Sequence, residues 1–551
     1  MRGGEVSGCH PLTSHFSPLT FYLSTLTPLT LYLPPMPSIP VLTPEQSNRW
    51  DELAASAGIQ RVTLMESAGR AGAIELAERF AHLLRNGVLV AAGPGNNGGD
   101  GWVMARALHR VDVPVWVASI PSASELCAGA AALARTEGVR EVAADGPWPS
   151  VGLAVDALLG TGATGAPRPA VSALLSRVLD LEIPILAIDG PTGIDLLTGV
   201  VHGPTRADLT VTFGGLRRGH LLARDEVGSL VVVDIGHPRP DPCWPTLVTA
   251  AQAAEWQRRL KPRDHKGDRG RVVIVGGAPG MSGALRMAAR AAFAAGAGLV
   301  HAVAPSETVA ALRQAEPDVQ THEQPFDRPP TAALIDLVGK ADALAIGPGL
   351  GREPGRRAFV ATLIEVASKV VIDADALVAF AGAESELRAL AQARSVILTP
   401  HPGEFRALFP SLASTRELDP WSAAASAAQA SGTTLLLKGV PTVIASGTSP
   451  QLTVAAGNPG LATGGSGDVL TGAISTALAQ GLEPMVAAAV GAQALGEAAD
   501  LAARRVTARA VRPMDVVSAF PDVWREWEVL RTARPVPRPP TLLELSRPLT
   551  V

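Results

Sequence analysis

Lysine is scarce in this sequence of 551 residues. Only five of its 47 lysine and arginine residues are lysines, so a lysine inside a motif carries more weight than usual. Positive charge is not in excess either, since the formal net charge is −4 and the isoelectric point is about 6.3. This charge balance argues against non-specific electrostatic binding to nucleic acid or to an anionic membrane, and we expect neither as a partner.

Cysteine and aromatic residues are also rare. Cys9, Cys127 and Cys243 lie far apart with no CxxC pair, which excludes a disulfide scaffold and a cysteine-based metal site. Aromatics make up 4% and hydrophobic residues 47%, so the cores must be built from alanine, valine and leucine. At roughly 150 residues per domain the length predicts two to four domains. We expect a cytoplasmic, multi-domain enzyme.

The start of the sequence has almost no charged residues, since there is no Asp, Glu, Lys or Arg from 6 to 43. Prolines between 18 and 35 interrupt any helix, and no apolar run reaches the roughly 18–20 residues of a membrane span. Arg2 alone supplies the basic start of a signal peptide. We therefore predict that 1–40 is a disordered extension or a mis-assigned start, with targeting as the alternative.

Two series of short apolar runs separated by helical patterns follow, which is typical of parallel sheets covered on both faces. The first series has predicted strands at 87–93, 113–119, 152–159, 183–190, 209–215 and 229–236. After a proline-rich linker, the second has them at 271–277, 298–304, 342–349, 369–375, 395–400, 433–439, 442–447 and 452–458. We predict two three-layer αβα domains, at 41–245 and 250–530, and a disordered tail at 531–551.

Glycine and acidic residues follow several strands of the first domain. Gly93, Gly95 and Gly98 satisfy G-x-G-x-x-G between a strand and a helix, which predicts a Rossmann-like nucleotide site. The next strand does not end on the acidic residue that a classical NAD site requires. Asp156 and Asp189 end two further strands, and parallel strands bring their carboxyl ends to one edge. The alternative is that each loop is an ordinary turn with an Asp helix cap.

The second domain lacks GxxxxGK[ST], which excludes a Walker-type phosphate site. It has instead a glycine-rich loop, 464–467, that leads into a predicted helix with Asp468 in its first turn. The helix dipole should bind an oxyanion there and keep Asp468 ionised, so that it accepts a proton from an attacking hydroxyl. The alternative is a helix-terminal carboxylate without catalytic role. His401 and Lys438 also follow strands, and Lys438 lies where a phosphate would be met.

The motifs LMESAG, GPGNNGGDG, DALLGTG and DGPTGID make the first domain resemble the NAD(P)H-hydrate epimerases. The resemblance implies interconversion of the R and S hydrates at nicotinamide C6, and a bound K⁺. Asp189 would be the acid/base. The K⁺ ligands would be Asn97, Asp156 and Thr192. The hydrated nucleotide would contact Asn96, Asn97, Gly98, Gly99, Asp100, Gly160, Thr161, Gly162, Ala163, Thr164, Gly165, Ala166 and Asp189.

The motifs HKGDRGRVVIVGGAPGMSGA, GPGLG, TPHPGE, LKG and TGGSGD make the second domain resemble the ribokinase-like NAD(P)H-hydrate dehydratases. The resemblance implies phosphorylation of the S hydrate with Asp468 as base, loss of phosphate, and Mg²⁺. ADP, which would leave as AMP, is the expected donor, and ATP is the alternative. The S hydrate would contact Ala284, Gly349, His401 and Asp468. The adenine nucleotide would contact Lys438, Gly439, Val440, Pro441, Thr442 and Gly467.

Two rival functions remain at this stage. One is a ribokinase-like small-molecule kinase whose first domain is a regulatory nucleotide-binding module. The other is an interaction or RNA-binding scaffold on an inactive epimerase fold, which the acidic balance disfavours. We expect a bifunctional repair enzyme that assembles as a homo-oligomer and binds hydrated NADH or NADPH and an adenine nucleotide.

Overall fold

The α/β alternation of the sequence is present in the computed structural model, which describes residues 38–447, 449–533 and 538–550. The strands of these residues are β1 (Ile39–Leu42), β2 (Val88–Ala92), β3 (Val115–Ser119), β4 (Arg140–Val142), β5 (Leu153–Ala157), β6 (Ile185–Ile188), β7 (Leu209–Phe213), β8 (Leu216–Arg217), β9 (Ser229–Val233), β10 (Thr246–Leu247), β11 (Arg271–Val275), β12 (Leu299–Ala304), β13 (Gln320–Glu323), β14 (Ala343–Ile346), β15 (Lys369–Ile372), β16 (Ser395–Leu398), β17 (Thr434–Leu437), β18 (Thr442–Ser446), β19 (Leu452–Val454) and β20 (Thr541–Leu545).

Most strands are connected through helices that cover the sheets. The α-helices are α1 (Pro44–Ser56), α2 (Arg61–Arg79), α3 (Asn96–His109), α4 (Glu125–Thr136), α5 (Pro169–Leu179), α6 (Arg218–Leu222), α7 (Ala250–Trp256), α8 (Ser282–Ala294), α9 (Ser306–Ala315), α10 (Ala332–Gly339), α11 (Arg356–Val366), α12 (Ala374–Ala379), α13 (Glu384–Ala391), α14 (Pro402–Leu408), α15 (Ala413–Leu418), α16 (Pro420–Ser431), α17 (Ser466–Ala479), α18 (Pro484–Val506) and α19 (Pro513–Ala533). Within the described ranges, no helix combines the length and apolar character that a membrane span requires.

The first sheet has the order β20-β9-β7-β6-β5-β2-β3-β4. All its strand pairs are parallel except β20 with β9. The chain winds outward in one direction from β2 and in the other from β5, which is the Rossmann-like arrangement. A topological switch point of this kind opens a crevice at the carboxyl ends of β2 and β5, and ligands bind in such crevices.

The second sheet has the order β13-β12-β11-β14-β15-β16-β17-β18-β19-β10-β1-β8. The strands from β13 to β17 are parallel, and β18 then runs antiparallel to both of its neighbours. A second switch point lies between β11 and β14. The loops after β11, β14, β15, β16 and β17 therefore meet at one edge. The predicted α/β class, with parallel sheets covered by helices, is confirmed.

Small side chains let the helices of the second domain pack closely. Gly472 of α17 lies against α8, because a Cβ on Gly472 would be only 2.2 Å from the carbonyl oxygen of Ala288. The buried face of α18 consists largely of alanine. Small side chains at these contacts thus let neighbouring helices approach closely, which suits a chain with few aromatic residues.

Two predicted boundaries need correction. The first domain was predicted to begin at 41, but β1 begins at Ile39, is buried, and pairs with β10 and β8 in the second sheet. The tail 531–551 was predicted to be disordered, but α19 continues to Ala533 and β20 adds an antiparallel edge strand to β9. The charged and proline residues of the tail favoured a prediction of disorder over one of a strand. The partner strand of β20 lies about 310 residues away along the chain. The prediction for residues 1–37 lies outside the described part of the chain.

Candidate active sites

The first site begins where β2 turns into α3. Gly98, in the first turn of α3, lies so close to the end of β2 that a Cβ would be 2.0 Å from the carbonyl oxygen of Gly93. A Cβ on Gly93 would in turn be 1.8 Å from the carbonyl oxygen of Leu158, after β5. Only glycine permits these approaches, and they bring the loops after β2 and β5 together. Gly99 lies against Met65 of the LMESAG motif for the same reason.

Asp156 and Thr192 form a buried pair at this edge. The Thr192 N–H and hydroxyl donate to the two Asp156 carboxylate oxygens at 2.7 and 2.8 Å. Thr192 Oγ1 also accepts the N–H of Leu159 at 2.9 Å. Burial raises the pKa of Asp156, while the hydrogen bonds from Thr192 and Leu158 act in the opposite direction. Two of the three predicted K⁺ ligands are therefore adjacent.

Asn97 supplies an unsatisfied polar group. Its side chain is buried, and both its Oδ1 and its Nδ2 lack a hydrogen-bond partner among the described residues. A Cβ placed on Gly160 would meet Asn97 Cγ at 3.2 Å and Asp189 Oδ2 at 2.7 Å, so these three residues converge. A buried carboxamide without partners calls for an explanation, and a bound ion or ligand group supplies one.

Asp189 is held in an unusual backbone conformation after β6, with φ at +65°. Its Oδ2 accepts the Thr161 N–H at 2.6 Å and the Thr161 hydroxyl at 2.5 Å, and its Oδ1 lies 3.4 Å from Arg217 Nη2. Burial acts to raise the pKa of this carboxyl, but the Arg217 charge and the Thr161 hydrogen bonds together hold it below its usual value. Asp189 is accordingly ionised at neutral pH.

Asp100 has the opposite electrostatic situation. Burial raises its pKa well above the ordinary value, and the negative charges of Asp189 and Asp51 add to the effect. The first site therefore contains two carboxyls whose pKa values are shifted in opposite directions, which is how acid and base roles are divided between two carboxyls.

The other predicted residues of this site differ in exposure. Asn96 is exposed, and its Oδ1 accepts the Ser124 hydroxyl at 2.6 Å. Gly162, Thr164, Gly165 and Ala166 are exposed in the loop after β5, whereas Ala163 is half-buried and bonded back to Gly160. These residues belong to the same loop as Thr161, which donates two hydrogen bonds to buried Asp189.

The sequence analysis missed three residues of the first site. Arg217 Nε donates to Thr161 Oγ1 at 3.1 Å, the ring of His220 lies 2.6 Å from the Asp189 carbonyl oxygen, and Thr212 Oγ1 is 3.3 Å from Asp189 Oδ1. All three belong to the stretch 209–220, read only as a strand followed by glycine. The adjacent arginines and histidine after that strand were the available signal.

The second site lies at the switch point between β11 and β14. Gly349 has φ at +58°, and a Cβ there would lie 2.8 Å from Met281 Cβ and 3.2 Å from Ala284 Cβ. Gly276 similarly faces the Pro348 carbonyl oxygen. The structure thus brings the predicted residues Ala284 and Gly349 into contact through backbone that has room for no further side chain.

A buried network of charges lies further along the same edge. Lys438 Nζ donates to Asp373 Oδ1 at 2.9 Å and lies 3.7 Å from Glu404 Oε2. The Thr399 and Thr471 hydroxyls donate to the two Asp373 oxygens, each at 2.8 Å. Burial acts to lower the pKa of Lys438, but Asp373, Glu404 and Asp468 raise it overall, so the ammonium is charged.

Asp468 occupies the first turn of α17, as predicted, beside this network. A Cβ on the preceding Gly467 would be 3.4 Å from Lys438 Nζ and 3.6 Å from Asp373 Oδ2. Burial and the negative charge of Asp373 together raise the pKa of Asp468 to about 7, although Lys438 acts in the opposite direction. The helix dipole was predicted to keep this group ionised, but a pKa of about 7 leaves it only partly ionised at neutral pH, because burial and a neighbouring carboxylate disfavour the charge.

His401 and the predicted nucleotide loop lie at the rim. His401 caps α14, its Nδ1 accepting the N–H groups of Gly403 and Glu404, and its side chain is exposed. The Lys438 N–H donates to the Pro400 carbonyl at 2.9 Å, which connects this rim to the loop after β17. In that loop Val440 is 75% exposed, and Thr442 Oγ1 donates to Gly439 at 3.3 Å.

The carboxylates of the second site were missed at the sequence level. Asp373 and Asp375 follow β15, and Glu404 lies within the TPHPGEF segment, but none of the three was predicted as a site residue. Asp375 accepts the Gly351 N–H at 3.0 Å and Arg352 Nε at 2.8 Å. Acidic residues directly after a buried parallel strand were the signal, as they were for Asp156 and Asp189.

The fold and the two sites define an enzyme of the parallel α/β class with one site at each sheet. A family model described as NAD(P)H-hydrate dehydratase matches residues 272–522, and one described as YjeF-related protein N-terminus matches residues 61–219. The bifunctional NAD(P)H-hydrate repair enzyme Nnr of Escherichia coli is 37% identical over 78% of this chain and 84% of its own. The enzyme of the same name from Moorella thermoacetica is 35% identical over 89% of this chain and 97% of its own.

The chain belongs to the family of bifunctional NAD(P)H-hydrate repair enzymes. A crystal structure of the ADP/ATP-dependent NAD(P)H-hydrate dehydratase from Bacillus subtilis is 24% identical, with a TM-score of 0.44 over 51% of this chain and 97% of that one. The predicted family, its class as a bifunctional epimerase and dehydratase, and the repair function are confirmed by the relatives, and the kinase alternative is not favoured. The homo-oligomeric state and the cytoplasmic location stay predictions.

Proposed function

We propose that the first site epimerises the R and S hydrates of NADH and NADPH, and that the second site converts the S hydrate back to the reduced cofactor with ADP as phosphoryl donor. The observation that carries the proposal is the pair of switch-point crevices, each with a carboxyl of shifted pKa beside glycine-rich loops. Both activities in one chain are useful because a dehydratase selective for one epimer leaves the other unrepaired.

In the first site Asp189 is the proposed proton carrier. Its low pKa leaves it ionised, so it accepts the proton of the incoming water when C6 regains its oxygen on the other face. Asp100, whose pKa is raised, is the proposed donor of the proton with which the C6 hydroxyl leaves as water. Thr161, which holds Asp189 Oδ2 with both its N–H and its hydroxyl, fixes the direction of the carboxylate.

The residues proposed for K⁺ fit that ion chemically. Asn97 Oδ1, the Asp156 carboxylate and Thr192 Oγ1 are hard oxygen donors, and the Asn97 oxygen has no other partner among the described residues. When bound, K⁺ would supply positive charge near the anionic substrate. Asp156 and Thr192 themselves hold the loops after β5 and β6 together through their two hydrogen bonds.

In the second site Asp468 is the proposed base. A pKa of about 7 places it near neutrality, where a base is both available and strong enough to accept the C6 hydroxyl proton. The freed oxygen attacks the terminal phosphoryl group of ADP, and AMP leaves. The C6–O bond then breaks as phosphate departs, a proton leaves C5, and the dihydronicotinamide is restored. Lys438 balances the surrounding carboxylates so that an anionic nucleotide is tolerated.

The carboxylates beside Lys438 fit Mg²⁺. This ion is usually held by one or two carboxylates together with substrate phosphates, and no cluster of three or more potential ligands is needed or found among the described residues. We propose Asp373 and Glu404 as its protein anchors. When bound, Mg²⁺ would neutralise charge on the transferring phosphoryl group.

The decisive experiment mixes the purified protein with hydrated NADPH, Mg²⁺ and either ADP or ATP, and follows recovery of the dihydronicotinamide absorbance. Recovery of both epimers is expected, faster with ADP. No recovery with either nucleotide would rule out the dehydratase. A phosphorylated hydrate that persists in solution, without free phosphate, would instead favour the small-molecule kinase.

The epimerase is tested separately with Asp189→Asn. This variant should consume the S hydrate and leave the R hydrate, apart from slow spontaneous epimerisation. If it consumed both epimers at the wild-type rate, Asp189 would not be the acid/base. Asp208→Asn serves as a control, because Asp208 also lies beside the first sheet but its side chain is 38% exposed and lies outside the site.

A further inference from the structure

Two consecutive arginines, Arg217 and Arg218, face different domains. Arg217 is the last residue of β8. By residue number, β8 falls within the predicted epimerase domain. By hydrogen bonding, however, β8 belongs to the other sheet: it pairs with β1, β1 pairs with β10, and β10 pairs with β19. The strand that carries Arg217 is therefore held in the sheet of the dehydratase domain.

Arg217 reaches into the first site and is 5% exposed. Its Nε donates to Thr161 Oγ1 at 3.1 Å, and its Nη2 lies 3.4 Å from Asp189 Oδ1. Its Nη1 donates to the Gly215 carbonyl at 2.8 Å, and this hydrogen bond helps to fix the orientation of the guanidinium. Arg217 thus holds both the proposed proton carrier and the residue that orients it.

The backbone of Arg217 makes a second connection to the same carboxylate residue. Its N–H donates to His220 Nδ1 at 3.0 Å, and His220 Nε2 donates to the Asp189 carbonyl oxygen at 2.6 Å. Because Nδ1 accepts, the ring is the neutral Nε2-protonated tautomer, and burial agrees with this by lowering its pKa to about 4. Side chain and main chain of Arg217 therefore both set the position of Asp189.

Arg218 makes the contact to the dehydratase domain. Its Nη1 donates to Asp419 Oδ2 at 2.7 Å, and its guanidinium lies 5.0 Å from the centre of the Trp421 ring. Trp421 is buried and donates its Nε1–H to Thr453 Oγ1 of β19 at 2.9 Å. Arg218 itself is 8% exposed, so its charge depends on Asp419 for compensation.

We propose that Arg217 is a positioning residue of the epimerase site, and that the dehydratase domain sets its position through the contact of Arg218 with Asp419 and Trp421. The inference rests on the proposed epimerase function. Since Arg217 and Arg218 share a peptide bond, a shift of Arg218 displaces the guanidinium that orients Asp189. The epimerase centre is then complete only when the second domain is docked against β8.

The test measures epimerisation alone, by mixing the full-length protein with the R hydrate without nucleotide and separating the epimers by chromatography. Arg217→Met should lower kcat by about tenfold or more while KM stays within about twofold, because orientation of the reacting group is lost rather than substrate binding. Arg217→Lys should recover at least half of the loss. Arg218→Met and Asp419→Asn should each lower kcat by about threefold or more by the same reasoning.

Arg206→Met is the matched control, since Arg206 pairs with Asp208 at a half-exposed position of the same domain. It should keep the wild-type kcat. Wild-type kcat in Arg217→Met, or a loss that Arg217→Lys does not recover, would overturn the positioning role. Wild-type kcat in both Arg218→Met and Asp419→Asn would overturn the claim that the second domain sets the position of Arg217.

Two further readouts keep the test decisive. If Arg217→Met does not fold, as judged by its melting curve, Arg217→Lys and Asp419→Asn decide the question, because both retain hydrogen-bonding groups at their positions. If the wild-type protein itself does not interconvert the epimers, the proposed function fails. If the wild type does so and the variants match it, only the present inference fails.

Discussion

Lys438 Nζ lies 2.9 Å from Asp373 Oδ1, although the two residues follow β17 and β15, which are separated in the sheet by β16. The Asp373 carboxylate is 2% exposed and the Lys438 side chain 20% exposed. The Lys438 ammonium is the positive charge that faces the carboxylates of the second site, because Glu404 and Asp468 act on it as well as Asp373.

Lys438→Met is expected to lower the free energy of unfolding by about 3 kcal/mol, because Asp373 is left as a buried charge without its cation. Urea unfolding measures the change. The double variant Lys438→Met/Asp373→Asn should regain part of that stability by removing the stranded charge. If the single variant were as stable as the wild type, or the double variant less stable than the single one, the pairing would not have the importance that we give it.

Asp468→Asn should lower dehydration of the S hydrate by at least about 100-fold, because the proton acceptor of the attacking hydroxyl is lost. Absorbance recovery with ADP and Mg²⁺ measures it. Asp515→Asn is the control: Asp515 also lies in the first turn of a helix but is outside the site. Equal losses in both variants would mean that Asp468 acts only as a helix-terminal carboxylate.

The dehydratase rate should depend on pH near neutrality. Burial and Asp373 raise the pKa of Asp468 to about 7, and only the ionised form accepts a proton, so kcat/KM should fall as the pH decreases below about 7. Asp375 also raises this pKa, so Asp375→Asn should move the acid limb to lower pH. Asp336→Asn, at an exposed surface pair with Lys340, should leave the limb in place. An unmoved limb in Asp375→Asn, or a rate independent of pH from 5 to 8, would contradict the assignment.

Removal of K⁺ should slow epimerisation if Asn97, Asp156 and Thr192 hold it. Thr192→Val deletes one oxygen donor and should raise the K⁺ concentration for half-maximal rate by about tenfold. Thr192→Ser retains that oxygen and is the control. The readout is the rate of epimer exchange against KCl concentration at constant ionic strength, with choline as the replacement. Identical curves for Thr192→Val and the wild type would exclude Thr192 as a ligand.

Deletion of residues 538–551 should destabilise the first domain. The deletion removes β20, the Thr541 hydroxyl that donates to buried Glu75, and the carbonyls of Leu545 and Ser546 that accept from Arg224. Unpaired buried groups cost about 1–3 kcal/mol each, so the melting temperature should fall by several degrees. Glu544→Ala, which breaks a half-exposed ion pair with Arg79, should have little effect. An unchanged melting temperature after the deletion would show that β20 is dispensable.

Much of this fold was predictable from local sequence. Continuous apolar runs such as 88–92 identify buried parallel strands, and every predicted strand from 87–93 to 452–458 contains an observed one. Of the strands that were missed, β4, β8 and β10 have two or three residues and β13 and β20 lie at sheet edges, while β1 has four residues and lies between β10 and β8. Such strands form because a neighbour offers free hydrogen-bonding groups, and a local pattern carries little trace of that.

The sequence by itself determined the two α/β domains, the family, and the acidic and glycine-rich residues after the strands. Only the tertiary structure decided which groups face one another: Arg217 against Asp189, and Lys438 between Asp373 and Glu404. It also decided the raised pKa of Asp468, about 7, which burial and the neighbouring Asp373 cause and which the helix position did not suggest. The reason is that propensities and turn signals act over a few residues. Desolvation and charge pairing instead depend on atoms brought within a few ångströms from strands that are distant in sequence.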